Sequence, residues 1–142
     1  MRNILVDTGA IVGLLNPADR YHAPAERFFG ALSPNDRLLT TWPVVTECSF
    51  ALLRNREALF DWLVLSAMEV VDFGVDDLDA MRHWIKRYPD REIDFADATL
   101  VWLAQQRRTN FIATTNFNDF EAYRLPGQPG KKAHFRILLE RR

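Results

Sequence analysis

The sequence has one cysteine among its 142 residues, Cys48, so no internal disulfide can form and a disulfide-stapled secreted scaffold is excluded. No apolar run approaches the roughly 20 residues of a membrane-spanning helix. The opening Met1-Arg2-Asn3-Ile4-Leu5-Val6-Asp7 meets an acid at once and lacks the apolar centre and cleavage site of a signal peptide. Histidine is scarce: His22, His83 and His134 show no metal-ligand spacing. Neither a GxxxxGK[ST] phosphate loop nor a GxSxG nucleophile elbow occurs, and there are no repeats or low-complexity tracts. Net charge is also lacking, at −1, which taken alone argues against a strongly basic nucleic-acid binder.

What is present is a core. Hydrophobic residues make up 48% of the chain, with four Trp and ten Phe, which excludes intrinsic disorder. The length fits one domain over residues 1–142, large enough to bury about two-thirds of its unfolded surface without a metal or disulfide. A cytoplasmic protein, with no membrane partner, is expected. The charge is unevenly spread. Residues 107–142 hold eight Lys/Arg against three acids, a local +5, and residues 1–106 carry −6. The basic end reads equally well as a solvated tail or as an anion-facing surface.

Short apolar runs mark strands at Ile4–Val6, Leu38–Thr41, Val70–Phe73, Phe111–Thr115 and Phe135–Leu138. Helical patterns fall between them: Ala10–Leu15, His22–Leu32, a segment opened by Pro43, Glu57–Ser66, Asp76–Arg87 and the strongly apolar Phe95–Gln106. Pro126 to Lys132 reads as a loop before the last strand. Strands alternating with helices predict an α/β fold: three α/β/α layers around a mainly parallel sheet of four to five strands. In such sheets functional residues lie just past the carboxyl ends of the strands.

Acids stand at those positions. Asp7 follows the first strand, and Glu47 lies one turn into the helix after the second. Asp94 and Asp97 open the apolar helix, and Asn116 and Asp119 follow the fourth strand. Asp97 sits in Phe95-Ala96-Asp97-Ala98-Thr99-Leu100-Val101, on a helix apolar almost all round. A buried carboxylate there either serves the helix N-terminus or needs a cation, a hydrogen-bond network or a metal. Asp94, on the same helix face, reads first as the N-cap. Asp7 caps the helix after it or serves function, and Glu47 is either an exposed helical acid or part of the same group. Acids past separate strands of one parallel sheet converge at one edge, where their repulsion calls for a hard cation. Oxygen donors without His or Cys select Mg²⁺ or Mn²⁺ over zinc. Cys48, among apolar helix neighbours, reads as core.

The ordered motifs resemble the PIN-domain ribonucleases, in particular the VapC-type toxins of toxin–antitoxin modules. Ile4-Leu5-Val6-Asp7-Thr8-Gly9-Ala10 is similar to that family's first strand and first acid. Thr46-Glu47 is similar to its second acid, and Asp94-Phe95-Ala96-Asp97-Ala98 to the segment of its third, carried onto Asp97. Thr114-Thr115-Asn116-Phe117-Asn118-Asp119-Phe120 resembles its closing motif. The likeness spans residues 3 to about 124. It implies a PIN-like fold and a Mg²⁺- or Mn²⁺-dependent endoribonuclease, a hydrolase that cleaves RNA, acts as a toxin, is neutralised by a cognate antitoxin and forms a homodimer. Asp7, Glu47 and Asp97 would hold the metal, with Asn116 completing the catalytic set. Thr8, Thr46, Asp94 and Asp119 would orient these groups or serve as further ligands. Many relatives carry Asp where this chain has Asn116, which brings an oxygen but no charge.

RNA contacts are expected from Arg107, Arg108, Arg124, Lys131 and Lys132, with Arg82, Lys86, Arg87 and Arg91 as a second basic set near the third acid. Trp42, Phe50, Phe60 and Trp62 supply aromatic surface for a dimer or simply fill the core. Two other functions compete. A small acid-cluster phosphatase normally needs Asp-x-Asp after the first strand, where this chain has Asp7-Thr8-Gly9. An inactive PIN-like partner-binding module is the other, and Asn116 is its best support.

Overall fold

The structure is a computed structural model and describes residues 2–142. Five strands form one sheet: β1 (Asn3–Val6), β2 (Arg37–Thr41), β3 (Glu69–Val71), β4 (Phe111–Ala113) and β5 (Arg136–Ile137). Their order is β3-β2-β1-β4-β5, and every pairing is parallel. Seven α-helices surround it: α1 (Thr8–Leu15), α2 (His22–Gly30), α3 (Trp42–Ala51), α4 (Arg56–Leu65), α5 (Leu78–Ile85), α6 (Phe95–Arg107) and α7 (Phe117–Ala122). The α/β architecture expected from the sequence is the one observed.

The winding fixes where chemistry can sit. The chain runs outward from β1 through β2 to β3, then returns across the sheet to β4 on the other side of β1. With right-handed crossovers, this reversal puts α1 to α4 on one face and the returning α5 and α6 on the other. Contacts of α1 with α2 and α3, and of α5 with α6, agree with that division. The reversal also opens a crevice between the carboxyl ends of β1 and β4, the usual ligand position in a sheet of this kind. The register sets Val6 beside Ala113 and Thr41 beside Val71. Asp7, Trp42, Asp72 and Thr114 are therefore the first residues past four neighbouring strand ends.

The core follows from the apolar runs. Ile4, Leu5, Val6, Leu39 and Ile112 are fully buried in the sheet, and α6 buries every residue from Ala96 to Ala104. Asp94 caps α6, its Oδ1 accepting from the Asp97 amide at 2.8 Å, as its position predicted. Asp7 caps α1 in the same way, accepting from the Thr8 amide at 2.8 Å. Cys48 is buried, and burial pushes its thiol up to about 12, so it is core and no nucleophile.

Several boundaries differ from the sequence reading. The strand expected over Val70–Phe73 ends at Val71, freeing Asp72 and Phe73 to line a surface groove. The helix expected over Asp76–Arg87 is a 3-10 turn followed by α5, ending at Ile85. Helix α7, with Phe117 and Phe120 buried, lies where the sequence pattern marks no element. Helix α6 ends on Arg108 at φ 53°, a left-handed cap more usual for glycine. Among the described residues no helix is long and apolar enough to cross a membrane.

Candidate active site

Asp7 and Asp97 meet at the crevice. Asp7 arrives on the end of β1 and is 5% exposed, and Asp97 arrives in the first turn of α6 and is 4% exposed. Asp7 Oδ2 accepts from the Thr114 hydroxyl at 2.7 Å, across the two strands that flank the switch point. The same Thr114 oxygen accepts from the Asn116 amide at 2.9 Å, so one threonine joins the first acid to the closing motif. Asp97 Oδ2 accepts from the Tyr123 hydroxyl at 2.7 Å and from Asn116 Nδ2 at 3.4 Å. Asn116 Nδ2 also donates to Asp119 Oδ2 at 2.9 Å. Glu47, half-buried on α3, accepts from the Thr8 hydroxyl at 2.7 Å.

The electrostatics are unbalanced. Burial raises the Asp7 carboxyl to about 6, against the pull of Thr114 and Thr8, and the charges of Glu47 and Asp94 push it the same way. Burial raises Asp97 to about 8, with the charges of Asp7, Asp94 and Asp119 adding to the rise and the Tyr123 hydrogen bond opposing it. Every charge that bears on these two groups in this account is negative. Such a site is unfavourable when empty of cations and suited to a hard divalent ion, since its donors are all oxygens. Among the described residues no three acid, His or Cys side chains stand closed around a single point. Ligation by Asp7, Glu47 and Asp97 together therefore requires side-chain movement from these positions.

Thr8, Asp94 and Asp119 lie at the site. Thr8 orients Glu47, Asp94 holds the start of α6, and Asp119 bonds Asn116 while pairing with Arg91 at 2.7 Å. Thr46 does not orient a carboxylate. Its hydroxyl donates to the Trp42 carbonyl one turn back, at 3.1 Å, the ordinary helical alternative.

The basic residues are spread over both ends of the sheet. Arg107 and Arg108 end α6, about 15 Å along the helix from Asp97 at 1.5 Å per residue. Arg107 is held there by Glu69, the first residue of β3. Lys131 and Lys132 lie with Asn110 near the start of β4, at the opposite end of the sheet from the acids. The Arg124 guanidinium donates to the carbonyls of Glu121 and Tyr123. Of the second basic set, Arg91 reaches the rim through Asp119, and Arg82 pairs with Asp79 on α5.

Two residues escaped the sequence reading, Thr114 and Tyr123. Thr114 stood inside the closing motif but is distinguished only by its partner. Tyr123 follows Phe120 at helical spacing and is held by rings of Trp84 and Phe120, each 5.0 Å away. Desolvation raises the Tyr123 hydroxyl well above its ordinary range, and Asp97 raises it further, so it stays a proton donor to Asp97. Tyr123→Phe keeps the packing and removes that bond. Divalent-ion affinity, read by titrating the metal-free protein, is expected to weaken by about 10-fold, the low end of what is typical for groups that orient a ligand. An unchanged metal titration would show the hydroxyl to be structural only.

The fold and site together define an α/β protein with a carboxylate cluster at the switch point of a parallel sheet. The PIN domain profile matches residues 4–125, and the chain belongs to the PIN domain family. It is 26% identical over 126 residues to Ribonuclease VapC26 of Mycobacterium tuberculosis, covering 85% of this chain and 92% of that protein. The crystal structure of Mycobacterium tuberculosis VapC20, a Sarcin-Ricin loop cleaving toxin, superposes with a TM-score of 0.68 at 23% identity, covering 82% of this chain and 93% of that one. VapBC2 from Rickettsia felis, bound to a DNA fragment from its promoter, gives 0.68 at 15% identity over 95% of this chain and 98% of that one.

Proposed function

We propose that this chain is a metal-dependent endoribonuclease acting as the toxin of a toxin–antitoxin pair. The observation that carries the reading is the pair of buried carboxylates, Asp7 and Asp97, facing only negative charge at the crevice of a PIN-domain sheet. The relatives named as a ribonuclease and as a Sarcin-Ricin loop cleaving toxin support the substrate class. The toxin–antitoxin complexes among structural neighbours support an antitoxin partner.

Asp7, Glu47 and Asp97 would hold Mg²⁺ or Mn²⁺. Bound there, a divalent cation supplies an acidified water and offsets charge on the phosphoryl oxygens. The chain's own residues set the geometry. Thr114 and the Thr8 amide fix both oxygens of Asp7, and Tyr123 fixes Asp97. Asn116 spans Asp97 and Asp119 through one amide nitrogen, leaving its carbonyl oxygen to position a water or a substrate oxygen. Arg91 supplies positive charge at the rim for the RNA phosphate. The bonds of Asn116 to Asp97 and Asp119 support an active enzyme over an inactive binding module. Gly9 stands where a phosphatase would need its second carboxylate after β1.

Purified protein with Mg²⁺ or Mn²⁺ is expected to cut RNA, and EDTA is expected to stop it. Metal-independent cutting that persists in an Asp7→Asn preparation would sink the reading. A homodimer is part of the same proposal, supported by Phe50, Leu53, Phe60, Val64 and Leu65 exposed around α3 and α4. Trp62 takes no part, being packed edge-on against Phe29. A monomer mass by light scattering at micromolar concentration would remove the dimer and leave the activity standing.

A further inference from the structure

A groove of about 480 Å³ opens beside the acid site, between the start of α3 and the start of α6. Its walls include Trp42, Phe73, Phe95 and Ala96, with Thr46, Glu47 and Asp72 as its polar groups. Trp42 is 51% exposed and Phe95 49%, although Phe95 begins a helix whose next nine residues are all buried. Their surroundings are ordered. Phe95 meets the edge of Phe73 at 5.8 Å, and Phe73 in turn meets Trp102 at 5.8 Å. The parallel register of β2 and β3 sets Trp42 next to Asp72.

The groove is continuous with the crevice, since Glu47 belongs to both and Ala96 precedes Asp97. Its chemistry is flat, apolar walls with acceptors at the edge. The Thr8 hydroxyl takes Oε1 of Glu47 and the Phe73 amide takes Oδ1 of Asp72, leaving the second oxygen of Asp72 available and, in the metal-free protein, that of Glu47 as well. A phosphate would be repelled by the two carboxylates, and an apolar helix would leave them buried without donors. An unpaired nucleobase meets both requirements. It stacks on aromatic faces, and its N–H groups reach carboxylate oxygens.

We propose that this groove is a nucleobase subsite, in which an unpaired base next to the scissile phosphate stacks on Trp42 and Phe95. Guanine, with adjacent N–H donors, is preferred over uracil. The inference rests on the ribonuclease reading for its substrate, and its test separates the two.

The intact protein is titrated without metal against guanosine 5′-monophosphate, uridine 5′-monophosphate and ribose 5-phosphate, following tryptophan fluorescence. Saturable quenching by the guanine nucleotide is expected, weaker for uridine and absent for ribose 5-phosphate. Trp42→Phe should lose the quenching signal. In cleavage assays on unstructured RNA, Trp42→Ala and Phe95→Ala are expected to raise KM about 10-fold with kcat little changed, within the range of one stacked base. Trp42→Phe should restore KM, which a purely structural role would not predict. No base-dependent quenching, or wild-type KM in both alanine variants, overturns the subsite. Quenching by N-acetylarginine amide with none by the nucleotides overturns it in favour of a partner protein's arginine. Base-dependent quenching by a protein that cuts no RNA keeps the subsite and removes the ribonuclease reading.

Discussion

Asp97→Asn is expected to abolish metal-dependent RNA cleavage while making the metal-free protein more stable. The two effects have one cause. Asp97 is buried on α6, its charged form disfavoured by desolvation and by Asp7, Asp94 and Asp119. Asparagine keeps an oxygen for the Tyr123 hydroxyl but carries no charge to hold a cation. Cleavage should fall at least about 100-fold, beyond the roughly 10–100-fold typical of residues that only orient a ligand.

Stability should move the other way, with a definite pH signature. The Asp97 carboxyl titrates near 3.8 when unfolded and at about 8 when folded, so the native state binds the extra proton between those values. Its contribution to stability is full below about pH 4 and is lost as pH rises through about 8. Asp7, raised to about 6, adds loss in the same direction over a narrower window. The advantage of Asp97→Asn over wild type should therefore be small near pH 4 and grow to about 1–3 kcal/mol at pH 8, a conservative reading of about 1.4 kcal/mol per pH unit. Urea denaturation in EDTA at several pH values reads this directly, and saturating Mg²⁺ should shrink the difference by stabilising only the wild type. Equal stability of the two proteins at pH 8 in EDTA would mean that Asp97 is compensated by groups within the chain.

Much of this site could be read from residue order, because buried strands and an all-apolar helix leave few places for acids to go. Asp7, Asp94 and Asp97 fell where strand ends and helix caps put them. Two kinds of information were out of reach. The first is which end of an element a residue serves. Arg107 and Asp97 share one helix, and although the spacing alone parts them by about 15 Å, only the path of α6 across the sheet shows that Arg107 ends beside Glu69. A charge count over residues 107–142 averages over that length, so the basic surface it suggested lies largely at the far end of the sheet from the acids. The second is the partner of a polar side chain. Thr46 and Thr114 look alike in sequence, yet one bonds its own helix and the other bonds Asp7. Helix α7 was hidden for a simpler reason: it has six residues, too few to show a period.

Gly9→Ala is expected to damage both stability and activity, although alanine is the better helix former. Gly9 lies in the first turn of α1, where that helix passes the end of β4. A Cβ placed there would stand 1.8 Å from Thr115 Oγ1 and 2.9 Å from Thr115 Cβ. A rotation of Thr115 relieves the first contact but not the second, since Cβ moves only with the backbone. Alanine gains about 1 kcal/mol in helix propensity, whereas overpacking of this kind costs typically about 1–3 kcal/mol. The balance should be a net loss of up to about 2 kcal/mol, or as much as a few degrees in Tm for a chain of this length. The strain also has a direction. Relieving it separates α1 from the segment after β4, and so pulls Asp7 from Thr114, the residue before the clash. Cleavage should therefore fall further than the folded fraction does. Gly30→Ala is the matched control, because a Cβ at the last residue of α2 meets nothing within 4 Å. That substitution should be neutral or stabilising by up to about 1 kcal/mol, through reduced freedom of the unfolded chain. If Gly9→Ala matched Gly30→Ala in denaturation midpoint and retained full cleavage, close approach of α1 to Thr115 would not be what holds the first acid in place.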